Sequence, residues 1–174
     1  MKIIITIFIF LLVISLNSCL TYQTVEYTID FTDNFDSGTI SVLYKDIRSS
    51  ETDEEKQKAD FDELIQLYQE DYFLLDLLEE GIYVKERKLY EKDGMIMGEY
   101  SGIFQKVQID NNVMDLRNEE RFILVDISEN EMIETNGKVY QSANNALLVW
   151  PKDQKNLTIK KIVQDYDNIS FSFI

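Results

Sequence analysis

One helical stripe stands inside a chain otherwise written as short strands, and that interruption constrains the fold more than any other feature. Phe61, Leu64, Ile65, Tyr68, Tyr72 and Leu75 recur at the spacing of a single helix face. Thr52 and Glu55 have capping-box spacing ahead of it, and Gly81 stands where a helix commonly stops. The pattern predicts one main amphipathic helix over about 53–79. Leu67, Phe73, Leu74 and Leu77 fall off the stripe, so the second half is either buried on two sides or broken into a second short helix. Residues 51–80 hold twelve acids against Lys56 and Lys58, most of them off the stripe, as on a solvated face.

On either side the period changes to two. Val25, Tyr27, Ile29 and Phe31 alternate, turn residues follow at 33–38, and 39–47 resumes a strand, which together predict an antiparallel hairpin. Strands at 82–91 and 95–107 flank Asp93-Gly94, a strong hairpin dipeptide. Gly98 and Gly102 signal a bulge, a bend or close backbone approach in the second of them. Residues 111–120 read as a polar loop or one helical turn, and 122–127 as a compact apolar strand. Strands at 132–134 and 138–141 bracket Asn136-Gly137, a second type I′ turn candidate, and 146–150, 157–163 and 169–174 complete a meander. The class is α+β: an antiparallel, hairpin-rich sheet with the main helix packed on one face, in a single globular domain over 24–174. The opposite face must be polar, be covered by the late strands, or bind something.

The chain has no histidine and a single cysteine, Cys19. Without histidine there is no Ser-His-Asp or Cys-His nucleophile system and no usual catalytic zinc site. No Gly-x-Ser-x-Gly elbow, Walker loop or Gly-x-Gly-x-x-Gly loop occurs, so catalytic residues and cofactor are both read as none. A formal charge of −15 with no basic patch excludes the footprint of nucleic-acid binding. It also opposes adhesion to anionic head groups. Hydrophobic content of 45 %, with ten Tyr and ten Phe, is enough for a core that needs no disulfide.

Residues 1–18 have the layout of a secretory signal peptide: Lys2, an apolar run over 3–14, then Ser15 to Ser18. The run is too short for the roughly 20 residues of a spanning helix. Ordinary cleavage would leave Cys19 as an unpaired thiol in an oxidising compartment. Leu16-Asn17-Ser18-Cys19 resembles the lipobox of bacterial lipoproteins, with Asn17 standing where Ala, Ser or Thr is more usual. The resemblance implies cleavage after Ser18, a diacylglycerol on the Cys19 thiol and an acylated new amino terminus. It implies a bacterial cell-envelope location with the membrane as partner through that anchor. Leu20, where Asp would mark inner-membrane retention, tilts the analogy toward the outer membrane. Residues 19–23 would then be the lipidated cysteine and a short tether.

Three remaining features each have two readings. Asp30, Asp33, Asn34, Asp36 and Gly38 resemble a calcium loop, but with Gly38 as sixth residue Phe35 and Tyr44 fall where liganding oxygens are required. The loop is therefore read as an acidic turn, and the metal site as none. Trp150, before Pro151, is core packing or an aromatic platform for a ligand. The Tyr and Met side chains between Leu89 and Met97 fill the core or line an apolar cavity. The order of elements resembles that of LppM-like lipoproteins, whose α+β domain resembles lipid-binding folds, and this implies a lipid ligand. A protein partner is the other non-catalytic reading, and a carboxylate-based hydrolase or carbohydrate-binding protein acting on envelope polymers is the alternative.

Overall fold

The computed structural model describes residues 19–33, 37–79, 81–105, 120–164 and 166. The signal peptide expected at 1–18, the stretch 106–119 and the closing strand expected at 169–174 lie outside the described residues, as do 34–36 of the Asp30–Gly38 loop. The first hairpin forms where the alternation predicts, between β1 (Leu20–Phe31) and β2 (Ser37–Ser49). β1 starts at Leu20, so the residues expected to be a tether are paired strand instead: Leu20 stands opposite Ser49 and Tyr22 opposite Ile47. The run Thr21-Tyr22-Gln23-Thr24-Val25 is rich in β-branched and aromatic residues, and a waiting partner strand holds it extended.

The helical segment breaks. α1 (Glu54–Gln69) ends at Glu70, whose φ of −87° and ψ of 157° are extended, and α2 (Tyr72–Glu79) follows. Asp53 is the N-cap, one residue later than the Thr52 box suggested, accepting from the Glu55 and Lys56 amides at 3.0 and 3.1 Å. At the other end Arg87 reaches from the next strand and donates to the Glu70 and Gln69 carbonyls at 2.6 and 3.1 Å. A cation on carbonyls at a helix C-terminus is favourable on both hydrogen-bond and dipole grounds. The break resets the helical phase. Phe61 and Leu64 of α1 are buried, but in α2 the buried residues are Phe73 and Leu77, whereas Leu75 of the predicted stripe is 54 % exposed.

Asp93 and Gly94, with φ of 54° and 77°, turn β3 (Ile82–Lys92) into β4 (Met95–Gln105). The pairing slips between Val84 and Glu86, opposite Gly102 and Ser101. A bulge on this outermost, charge-rich strand keeps it from recruiting another edge. Five more strands follow: β5 (Glu120–Asp126), β6 (Glu131–Thr135), β7 (Lys138–Gln141), β8 (Asn145–Pro151) and β9 (Asn156–Val163). They do not form one meander. The long sheet runs β3-β4-β2-β1-β9-β6, and a second sheet runs β5-β8-β7, every pair antiparallel. Asn136-Gly137, expected to close a hairpin, instead carries the chain from one sheet to the other, since β6 pairs with β9 and β7 with β8.

Residues directly opposite in a ladder share a face. Val25, Tyr27 and Ile29 stand opposite Tyr44, Val42 and Ile40, and Val42 opposite Tyr100, which defines the core face of the long sheet. Helix residues reach that face: Phe73 meets Tyr100 edge-on with ring centroids 5.4 Å apart. Leu148 and Trp150 of the small sheet join the same core. The other face is mixed: Tyr90 with Met97, Tyr83 with Ile103, and Ile162 with Met132 stand on it as opposed pairs, and polar rows run between them. One row crosses all six strands as Lys88, Glu99, Leu43, Glu26, Lys160, Glu134. Ion pairs run along it, Lys88 with Glu99 at 3.5 Å and Lys160 with Glu134 at 3.2 Å. The next row holds Glu86, Ser101, Ser41, Thr28 and Thr158. Among the described residues the fold is thus mostly antiparallel β with one long and one short helix, an α+β arrangement.

Candidate functional site

Cys19 immediately precedes β1, and the pairing of Leu20 with Ser49 brings it beside the turn that leads into α1. Its carbonyl accepts from the Ser50 amide at 2.8 Å and the Ser50 hydroxyl at 2.9 Å. Its thiol is exposed and donates to Glu51 Oε1 at 2.9 Å. That hydrogen bond to the Glu51 carboxylate pushes the thiol up from its ordinary value and holds it protonated. A protonated thiol is a poor nucleophile and a poor metal ligand. Substituting the sulfur removes this one bond and leaves the backbone bonds of the strand start untouched, so the position can carry a group that projects from the domain. Behind the thiol, the Cys19 nitrogen lies 3.4 Å from Asp60 Oδ1, and the Ser49 hydroxyl donates to Asp60 Oδ2 at 2.5 Å.

A second constellation lies inside the core and escapes a reading of the sequence. Tyr27, Tyr44 and Tyr100 interact closely enough to shift one another's ionisation, and Tyr22 and Tyr68 adjoin them. Burial is the main cause and keeps all five hydroxyls protonated far above neutral pH. Near Tyr22 and Tyr27, the buried Lys161 pairs with the half-buried Glu131 at 2.8 Å. Glu131 also accepts from the Ser128 amide at 2.7 Å. A lysine held this way is a structural cation, and neutral tyrosines offer hydrogen bonds rather than proton transfer. The one sequence signal was Lys161 itself, which continues the Leu157–Ile159 core phase where an apolar residue belongs. The convergence of five tyrosines from β1, β2, α1 and β4 exists only in three dimensions.

The remaining candidates resolve into packing. Trp150 is 0 % exposed and its Nε1 donates to Asn136 Oδ1 at 2.8 Å, so it is core and offers no platform to a ligand. Met97 is buried, and the Tyr90 hydroxyl bonds Glu99 at 3.1 Å. Of the acidic turn, Asp30 accepts from Asn156 Nδ2 at 2.6 Å and Asp33 pairs with Lys155, which holds the Asp33 carboxyl below its ordinary value. Among the described residues no three acidic, cysteine or histidine side chains gather as a metal-holding group. Nor is any described helix long and apolar enough to cross a membrane. No protein-family model matches the chain, and neither a curated protein nor a solved structure matches it at a significant level.

Proposed function

We propose that this chain is a bacterial envelope lipoprotein, tethered by a diacylglycerol thioether on Cys19, whose α+β domain binds a protein partner or an apolar ligand and performs no chemistry. The observation that carries the reading is the sequence Leu16-Asn17-Ser18-Cys19 followed at once by a paired strand, with the Cys19 thiol exposed. Two or three acyl chains on one residue anchor stably where a single chain holds only marginally, at about 0.8 kcal/mol per buried methylene. With β1 starting at Leu20 there is almost no slack, so the domain rides directly on the bilayer. Leu20 at the position after the cysteine supports the outer membrane as destination. In this reading the helices back one face of the long sheet, and the opposite face, with its charge and hydroxyl rows, is the surface offered to a protein partner.

Intact mass spectrometry of the protein extracted from native membranes tests the anchor. The expected result is an amino terminus at Cys19 carrying a diacylglycerol. A different terminus, or an unmodified thiol at Cys19, overturns the reading. The Cys19→Ala variant is expected to leave the membrane fraction. Lipid that co-purifies beyond the covalent anchor would identify the ligand class, and its absence would favour the protein partner.

A further inference from the structure

Asp60 is a buried carboxylate without a countercharge. It is 7 % exposed, and its partners are the Ser49 hydroxyl at 2.5 Å and the Cys19 backbone nitrogen at 3.4 Å. Among the described residues no Lys or Arg pairs with it; the nearby Lys56 is turned to Glu51 at 3.6 Å. A buried charge held by one hydroxyl and one long amide contact is poorly compensated, and such a group is strongly destabilising unless something pairs with it. The atom aimed at it is the nitrogen that signal-peptide removal would change.

We propose that Asp60 is the binding site of the mature chain's own amino terminus, with the Cys19 α-ammonium as the ion that completes it. The inference rests on the reading that the Ser18–Cys19 bond is cut. Hydrolysis places the hydroxyl of water on the Ser18 carbonyl carbon and a proton on the Cys19 nitrogen. The new carboxylic acid then passes its proton to the amine, giving a Ser18 carboxylate and a Cys19 ammonium. The ammonium keeps the place of the amide, because the Ser50 bonds to the Cys19 carbonyl hold the residue in the strand. A neutral amide becomes a cation against a buried anion, a charge-assisted contact. The pairing ties the anchored residue to α1 and requires the amine to stay unacylated. That requirement departs from the N-acylated terminus that the lipobox resemblance implies, and the two are distinguishable by mass.

The test uses the full chain processed in a bacterial host and extracted from membranes. Intact mass reports the terminus and its acylation. An amine-selective acylating reagent, followed across pH 6–10, then reports the α-amine's pKa. The groups facing that amine are Asp60 on α1, Glu51 on the preceding turn with its partner Lys56, and the Cys19 sulfur. The wild-type amine is expected to titrate at least one unit above the ordinary value of about 8 and, at pH 7, to label roughly tenfold more slowly than in Asp60→Asn. Should that variant fail to fold, the wild-type pH profile decides alone. A terminus other than Cys19 overturns both this inference and the lipoprotein reading. A diacylated Cys19 whose amine is acylated, or titrates near 8, overturns only the role given to Asp60.

Discussion

Asp93-Gly94 and Asn136-Gly137 are the same signal in two places, and the chain uses them in opposite ways. Both dipeptides stand between short strand-forming runs. At Asp93-Gly94 both residues adopt positive φ, and β3 folds back on β4. Gly137 is not left-handed, and its flanking strands go to different sheets. There the glycine is needed for space: a Cβ would come within 2.6 Å of both the Trp150 Nε1 and the Val149 carbonyl oxygen. Asn136 is needed for its amide, which accepts from Trp150 Nε1 at 2.8 Å and the Thr158 amide at 3.0 Å and donates to the Asn156 carbonyl at 3.0 Å. One dipeptide encodes a backbone conformation, and the other encodes a lid over a buried tryptophan. A turn signal is therefore only as good as the absence of a stronger claim on the same residues.

Five substitutions break or sharpen that contrast. Trp150→Ala should cost most, about 3–5 kcal/mol of unfolding free energy in urea melts, because it empties the centre of the small sheet. Asn136→Ala should follow at about 2–4 kcal/mol, since it orphans the Trp150 indole N–H and the Thr158 amide. If Asn136 merely formed a turn, the loss would be a few tenths. Gly137→Ala should cost about 1–3 kcal/mol through overpacking, and Trp150→Phe, which shortens the ring system, should partly relieve it in a double-mutant cycle. Gly94→Ala should be the mildest, about 1 kcal/mol for a positive φ on an open turn, with no coupling to any side chain, as nothing lies within 4 Å of its added Cβ. Equal losses at Gly94 and Gly137, or coupling of Gly94 to Trp150, would dissolve the distinction.

The same division runs through the rest of the molecule. The first hairpin was legible because Val25, Tyr27 and Ile29 alternate and their partners do too. The helix was legible in its first half, where Phe61 and Leu64 carry the stripe. A break into a second short helix was one of two readings the off-stripe residues left open, but its place at Glu70 was not legible, because the reason sits on another strand: Arg87 takes the Glu70 and Gln69 carbonyls and so accommodates a C-terminus where the stripe would continue. Cys19 stood out as the chain's single cysteine, closing a stretch that resembles a lipobox, but Asp60, forty-one residues away, looked like one more acid on a solvated helix face. Lys161 was misplaced in an apolar phase, yet only the pairing of β6 with β9 shows that Glu131 receives it.

By itself, the sequence determined what depends on neighbours along the chain: strand and helix periods and the positive-φ turn at Asp93-Gly94. The tertiary structure decided which strands pair, where the helix stops, and which polar groups are buried together. The physical reason is range. Backbone torsions and side-chain period are set within a few residues. Sheet partners and buried charges are chosen by how well distant side chains, Trp150 with Asn136 and Lys161 with Glu131 among them, satisfy one another away from water.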